Sequence, residues 1–456
     1  MKPSQLLILS MITLVFSACT PEKPYTETTG DPEYLHRSVK QLTDVIIHDI
    51  FSPPVASRIY AYASIAGYET AVQGRLQSDS ASAEKPFSSL AGKVNEFTAT
   101  PAPPQKGTWE VSLATVHAFL TTGKALIFSE DSISRFQERI YAEITKENAI
   151  PQSVYDQSLA YGQQVAQHII AWSSTDNYKQ TRTFPKYSIT DDPAKWQPTP
   201  PAYMEGIEPH WNKIRPFVLD SSTQFVPRPP TAFSADKESR FYQEAMEVHK
   251  ATDIITEDYA DRIAIAKFWD CNPYVSHQRG HVMFATKKIT PGGHWMGITR
   301  QACVQHDLDF TESAQAYAFV AIALNDGFIS CWDEKYRSNL IRPETYINKY
   351  IDPDWLPSLQ TPPFPEHTSG HSVISSAAGE MLTALIGDNI SYIDSVEVEY
   401  GLPMRSFSSF RNAYEEAAIS RLYGGIHYRP AIDYGIEQGK KVGSLVIERL
   451  IGDREM

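Results

Sequence analysis

The sequence predicts an all-α protein built as two packed helical bundles, and three observations carry that reading. Apolar residues recur at three- and four-residue intervals along most of the chain. Two-residue alternation is scarce, and the best stretch for it, Ile390 to Val398, is short. The 456 residues are 42% hydrophobic and 21% charged, a globular composition with enough apolar mass for a large core.

The N-terminus reads as a targeting segment. Met1-Lys2 gives one positive charge, Leu6 to Phe16 is apolar apart from Ser10 and Thr13, and Ser17-Ala18 precede Cys19. A permanent span needs about 20 apolar residues, more than this run supplies. Residues 1–18 are therefore expected to be a signal peptide. Cys after two small residues resembles the lipobox of bacterial lipoproteins, which implies an acylated Cys19; an ordinary secretory signal is the alternative. Residues 19–32 are polar and aperiodic and read as a tether. The body is thus expected in the periplasm or at the outer membrane, touching lipid only through its anchor.

From Tyr34 to Ile50 the residues Leu35, Val39, Leu42, Val45 and Ile46 mark one helix face, and Pro53-Pro54 is expected to stop it. A second helix follows from about 55 to 72, with others near 109–128, 131–147 and 152–173, which makes residues 33–174 an N-terminal helical half. Residues 175–235 differ, being dense in proline and without a period. Trp196, Tyr203, Trp211 and Phe217 make that stretch too aromatic for a disordered linker, so it reads as an ordered crossover. Helical patterns resume near 236–250, 255–268, 312–329, 371–386, 407–422 and 431–451, within a C-terminal half spanning 236–456. Cys271, Cys303 and Cys331 form neither a disulfide framework nor a CxxC zinc pattern and read as buried small hydrophobes, with one bridged pair in an oxidising compartment as the alternative.

A net charge of −13 argues against nucleic acid as a partner, so any anion site must be a local concentration of positive groups. Three segments supply one. In the first, Cys331 to Pro343, Lys335 and Arg342 lie seven apart, about two helical turns. That spacing puts them on one side of a helix that Pro343 ends by disfavouring αR at Arg342. In the second, the loop Thr361-Pro-Pro-Phe-Pro-Glu-His-Thr leads into Ser369-Gly370-His371 and a helical pattern. Free N–H groups and the dipole at a helix start favour an anion, although Ser369 could equally be a plain N-cap. In the third, Arg421 ends a helical pattern, Gly424-Gly425 breaks it, and His427 precedes Pro430.

Together, in the order Lys-x6-Arg-Pro, Ser-Gly-His and Ser-Arg-x5-His, these segments resemble the tripartite signature of the type-2 phosphatidic acid phosphatase and vanadium haloperoxidase superfamily. The resemblance implies that fold and a tetrahedral oxyanion, vanadate or phosphate. Lys335, Arg342, Ser369, Gly370 and Arg421 would bind its equatorial oxygens, His427 would bond its central atom, and His371 would be the acid–base group. Trp332 and Phe364 resemble the aromatics beside vanadate in the chloro- and iodoperoxidases, and Tyr274 would add a third wall. The leading expectation is a vanadate-dependent haloperoxidase acting on hydrogen peroxide and a halide, iodide before bromide. The alternative is an acid phosphatase cleaving a phosphate ester through a phospho-His427 intermediate; a non-catalytic anion-binding lipoprotein is a third class. One departure stands out. The superfamily commonly has Asp four residues after the last His, where this chain has Ala431, and Asp433 or Glu437 are the nearby substitutes.

Overall fold

Helix starts are written into the local chemistry of the chain. The Asp31 carboxylate accepts the N–H of Glu33 and opens α1, Pro32–His48. Ser52 does the same for α2, Pro53–Gln77, by accepting the N–H of Val55. Pro53-Pro54 therefore begins α2 and does not stop α1, because the missing N–H groups of a first turn need no intrahelical partner. The computed structural model describes residues 30–78, 87–255, 257–273, 275–279 and 282–452; Cys19 and Tyr274 lie outside them.

Three more helices, α3 (Val111–Lys124), α4 (Glu130–Glu147) and α5 (Gln152–Ser173), complete the first bundle around α2. The proline-rich stretch that follows holds only α6 (Tyr178–Thr181) and a 3-10 turn, Trp211–Lys213. Beyond it come α7 (Arg240–Ala251), α8 (Tyr259–Phe268), the antiparallel pair β1 (Val275–Arg279) and β2 (Val282–Thr286), and α9 (Pro291–Gln305). The second bundle is built on α10 (Phe310–Ser338), α11 (Pro343–Tyr350) and α12 (Gly370–Ile386). A small hairpin, β3 (Tyr392–Asp394) and β4 (Arg405–Phe407), encloses a 3-10 turn at Val396–Tyr400 before α13 (Phe410–Tyr423) and α14 (Arg429–Ile451).

The seam between the bundles is α2 against α10, where Tyr68 and Phe319 meet edge-to-face at 5.4 Å within one continuous apolar core. On the far side α12 packs tightly on α14. A Cβ at Gly439 would lie 2.0 Å from the carbonyl oxygen of Val373, so only glycine lets the helices approach this closely. That contact fixes where α12, and hence its N-terminus, sits. Among the described residues no helix is long and apolar enough to cross a membrane.

Several elements depart from the sequence expectation. In α9, Gly292, Gly293, His294, Trp295 and Met296 are all buried, so no polar face existed to give a period. The C-terminal half of α10 hides in the same way, since Asn325 through Lys335 are buried on every side. The strand expected over 390–398 shrinks to three residues paired with β4, followed by the 3-10 turn.

The crossover is strapped down by buried charge. Proline removes backbone donors, and those that remain still need acceptors away from water. Asp326 of α10, fully buried, accepts the N–H groups of Phe217 (2.7 Å), Val218 (2.7 Å) and Leu219 (3.0 Å). Arg58 of α2 donates to Asp176 at 2.6 Å. Burial pushes the Asp326 carboxyl up to about 6, so a neutral acceptor is tolerated there better than no acceptor. Asp326→Ala is expected to cost about 3–5 kcal/mol in denaturant unfolding, because three N–H groups lose their partner. Asp326→Asn, which keeps a carbonyl, should cost clearly less; equal losses would mean the strap is not the source.

Candidate oxyanion-binding active site

Lys335 and Arg342 do not share a helix. Helix α10 ends at Ser338, and Asn339 takes the left-handed conformation that asparagine tolerates (φ 50°), with its N–H on the Lys335 carbonyl at 2.8 Å. Pro343 keeps Arg342 extended (ψ 151°), and Arg342 becomes the cap of α11. The two residues converge because the chain turns between them, not because they are two turns apart on one helix.

Both are fully buried. Lys335 Nζ donates to the carbonyls of Pro365 (3.1 Å), Glu366 (3.1 Å) and Thr368 (2.6 Å), the loop that delivers Ser369. It also lies over the rings of Phe364 (5.0 Å) and Trp332 (5.6 Å). Burial pulls its ammonium down to about 8. Arg342 Nε donates to the Phe364 carbonyl (2.8 Å) and Nη1 to the Ile426 carbonyl (2.9 Å); Nη1 also lies 3.2 Å from His427 Nε2. Its Nη2 has no hydrogen-bond partner among the described residues. Burial draws this guanidinium down to about 10.

Ser369 caps α12, its Oγ accepting the N–H of Ser372 at 3.3 Å, while its own N–H donates to the Ala431 carbonyl at 2.9 Å. Thr368, where the superfamily often has proline, donates its hydroxyl to Gln438 of α14 at 2.7 Å. Gly370 leaves the helix start open: an added Cβ would meet only the Trp332 ring, at 3.6 Å. His371 is half-buried, but its Nε2 is out of solvent and has no partner among the described residues. Desolvation, reinforced by the charge of Arg421, holds this imidazole well below its usual range and therefore neutral.

Arg421, in the last turn of α13, donates from Nη2 to the carbonyls of Trp269 (2.9 Å) and Ala266 (3.3 Å), and from Nε to Ser420 Oγ (3.0 Å). It is thereby tied to the exit of α8. The turn that follows needs Gly425 at φ 78°, and it presents His427 just before α14. His427 Nδ1 lies 2.9 Å from Glu366 Oε1, which also accepts the N–H of Tyr428 at 2.9 Å. Glu366 is the residue that sequence reasoning passed over. Asp433 is exposed, Glu437 pairs with Arg228, and neither reaches His427. The carboxylate missing at Ala431 comes from the proline-rich loop, three residues before Ser369. Its signal was an acidic residue inside an otherwise apolar, proline-bound run.

Glu366 is fully buried, and burial pushes its carboxyl up to about 7 against the opposing pull of Arg342 and Lys335. Desolvation with Arg342, Lys335 and Arg421 nearby keeps His427 neutral. A carboxylate on Nδ1–H makes Nε2 the acceptor nitrogen, facing Arg342 Nη1 at 3.2 Å beside the cavity. Trp332, Phe364, Gly370, His371, Arg421 and His427 line one cavity, and Lys335, Arg342 and Ser369 hold its walls. Trp332 and Phe364 meet at 4.9 Å on its aromatic side.

Residues 315–452 match the family model described as the VCPO second helical-bundle domain. The structure of a bacterial vanadium-dependent iodoperoxidase superposes with a TM-score of 0.85 at 50% identity, over 94% of this chain and 100% of that one. The chain belongs to the vanadium-dependent haloperoxidases. Holo and apo structures of a bacterial vanadium-dependent chloroperoxidase share the fold, both at a TM-score of 0.63 over 88% of this chain, with 14% and 15% identity and 93% and 94% of their own chains covered. No curated protein matches the chain.

Vanadate, the cofactor of this family, fits the groups on view. Arg342 Nη2 and His371 Nε2 are buried and have no partner among the described residues, and the N-terminus of α12 opens beside them at a residue with no side chain. Glu366→Gln is expected to weaken vanadate binding by about 10–100-fold, the usual effect of losing an outer carboxylate on a ligating histidine. Equilibrium dialysis against orthovanadate measures it; an unchanged affinity would show that Glu366 does not orient His427.

Proposed function

We propose that this haloperoxidase oxidises iodide, with bromide as the second halide, using hydrogen peroxide. The observation that carries the reading is the pairing of His427 and His371 in one cavity, walled by Trp332 and Phe364. The full-length likeness to an iodoperoxidase supports iodide over the other halides. Vanadate held by His427, Arg342 and Arg421 would supply Lewis-acid activation of hydrogen peroxide toward a halide.

The protein's part follows from its own groups. His427 would hold the vanadium through Nε2, with Glu366 fixing the ring. Arg342 would donate from Nη2 and Arg421 from its guanidinium to the oxygens, joined by Ser369 and the first-turn N–H of Gly370, and Lys335 would add charge from behind the loop. His371, neutral and unpaired at Nε2, would take the proton that peroxide loses on binding and return it as the oxidised halide leaves. The small apolar wall of Trp332 and Phe364 suits a large, weakly hydrated anion such as iodide. The apolar run before Cys19 supports an exported lipoprotein as the setting.

Tag-free mature protein loaded with orthovanadate should oxidise iodide only in its presence, and His427→Ala should abolish turnover. Hydrolysis of p-nitrophenyl phosphate without halide oxidation would establish the phosphatase reading instead. His371→Ala should lower kcat about 10²–10⁴-fold, the usual worth of a positioned acid–base group.

The pH dependence of vanadate affinity carries a defined sign. Below about 8 Lys335 is already protonated in the vanadate-free protein. Above it, vanadate must bind together with a proton, so affinity should fall by up to about tenfold per pH unit. Lys335→Gln shares the titration of vanadate itself but lacks this step. Parallel wild-type and variant profiles would remove Lys335 from the account.

A further inference from the structure

Away from the oxyanion donors, three buried side chains meet at one point. Cys271 lies just past the exit of α8, His294 in the first turn of α9, and Glu397 in the 3-10 turn after β3. Cys271 Sγ is 3.5 Å from His294 Nδ1 and 3.7 Å from Glu397 Oε1, and Nδ1 is 3.1 Å from Oε1. A tetrahedral zinc ion with its usual bond lengths to sulfur, nitrogen and oxygen would set those edges at about 3.6, 3.5 and 3.3 Å. The triangle already has the size of one face of a zinc tetrahedron.

The surroundings prepare His294 as a ligand. Its Nε2 lies 2.8 Å from Asp394 Oδ2, with both side chains wholly buried, while Asp394 Oδ1 accepts the N–H of Val396 at 2.9 Å. A carboxylate on the far nitrogen is the arrangement that fixes the tautomer and raises the basicity of metal-bound histidines. The ring is also stacked on Trp269, with centroids 4.7 Å apart and planes inclined by 20°, so it does not turn freely.

We propose that Cys271, His294 and Glu397 bind one divalent ion of the zinc class, with water in the fourth position and Asp394 as the outer carboxylate. The donor set selects the class: a thiolate disfavours magnesium and calcium, and one sulfur, one nitrogen and one oxygen suit tetrahedral zinc. Binding releases two protons, one from the Cys271 thiol and one from Nδ1 of the protonated His294 ring, so the thiolate and the Glu397 carboxylate balance the ion's two charges. Without metal the rival arrangement is a protonated His294 bridging Asp394 and Glu397. In that state burial and Glu397 keep the thiol up at about 11, and the cysteine contributes little.

The ion would brace the active site without entering it. Cys271 lines the same cavity as His371 and His427. Two residues earlier, the Trp269 carbonyl receives Arg421. Tying residue 271 to α9 and to the turn after β3 thus fixes the backbone that aims Arg421.

The test uses the whole mature protein, tag-free, stripped by chelator and reloaded with cobalt(II) as a spectroscopic substitute. One equivalent should bind per chain, with the visible bands of a tetrahedral site and a sulfur-to-cobalt charge-transfer band in the near ultraviolet. Cys271→Ser should lose the charge-transfer band, Asp394→Asn should weaken zinc about 10–100-fold, and His427→Ala should keep both band and metal. Zinc should also raise the Tm of the wild type by several degrees. Failure of the wild type to retain cobalt, or a charge-transfer band that survives in Cys271→Ser, would overturn the proposal. The wild-type spectrum decides even if a variant misfolds, and neither result bears on whether vanadate supports halide oxidation.

Discussion

A buried ammonium holds the site together. Lys335 Nζ satisfies three carbonyl groups, of Pro365, Glu366 and Thr368, in a loop whose prolines (Pro362, Pro363 and Pro365) leave it rich in acceptors and poor in donors. An irregular loop this deep in a protein is tolerated only if its backbone polar groups find partners, and Lys335 supplies three of them, with Arg342 on the Phe364 carbonyl and the Leu340 carbonyl on the Glu366 N–H. Once the loop is pinned, Glu366 is delivered to His427 and Ser369 to the start of α12. Lys335 is thus more than a counter-charge for an oxyanion: without it His427 and the helix terminus would not be held in one frame.

The electrostatic design follows from that burial. Desolvation pulls Lys335, Arg342 and Arg421 below their ordinary ranges, so each is short of counter-charge in the empty protein. Glu366 alone does not balance them, and its own carboxyl is drawn upward by burial. A bound oxyanion supplies the missing negative charge. The same field keeps His371 and His427 neutral, which is the state in which one can bond a metal and the other can accept a proton. A chain of net charge −13 can therefore hold an anion, because the charges that matter are the desolvated ones.

How much of this was legible in the sequence depended on range. Helices with one wet face, such as α1 and α4, announced themselves by period. Helix α9 and the second half of α10, buried all round, did not, because amphipathicity needs a polar face. The cationic and histidine groups were readable because each sits in a short motif with its own turn chemistry. Their geometry was less so: the left-handed Asn339 turned what looked like one helix face into two elements. Glu366 was not legible because the family spacing points forward from His427 along α14, while the carboxylate comes from 61 residues earlier in the chain. A carboxylate that acts through space leaves no spacing rule behind.

Two kinds of residue surround the cavity. Groups that would touch the oxyanion lie at ends of elements: the last turns of α10 and α13, the cap of α11, the first turn of α12 and the turn before α14. Those ends carry unsatisfied backbone groups and can present side chains without breaking a ladder. Groups that aim them, Glu366, Trp269, Gln438 and the Cys271–His294–Glu397 cluster, come from segments distant in sequence and are buried. Change at an end residue alters the chemistry directly. Change at an aiming residue alters geometry first, so its effects should appear together in cofactor affinity, stability and turnover. The close α12–α14 contact at Gly439 belongs to the second kind, since any side chain there would displace the helix start on which the oxyanion site is built.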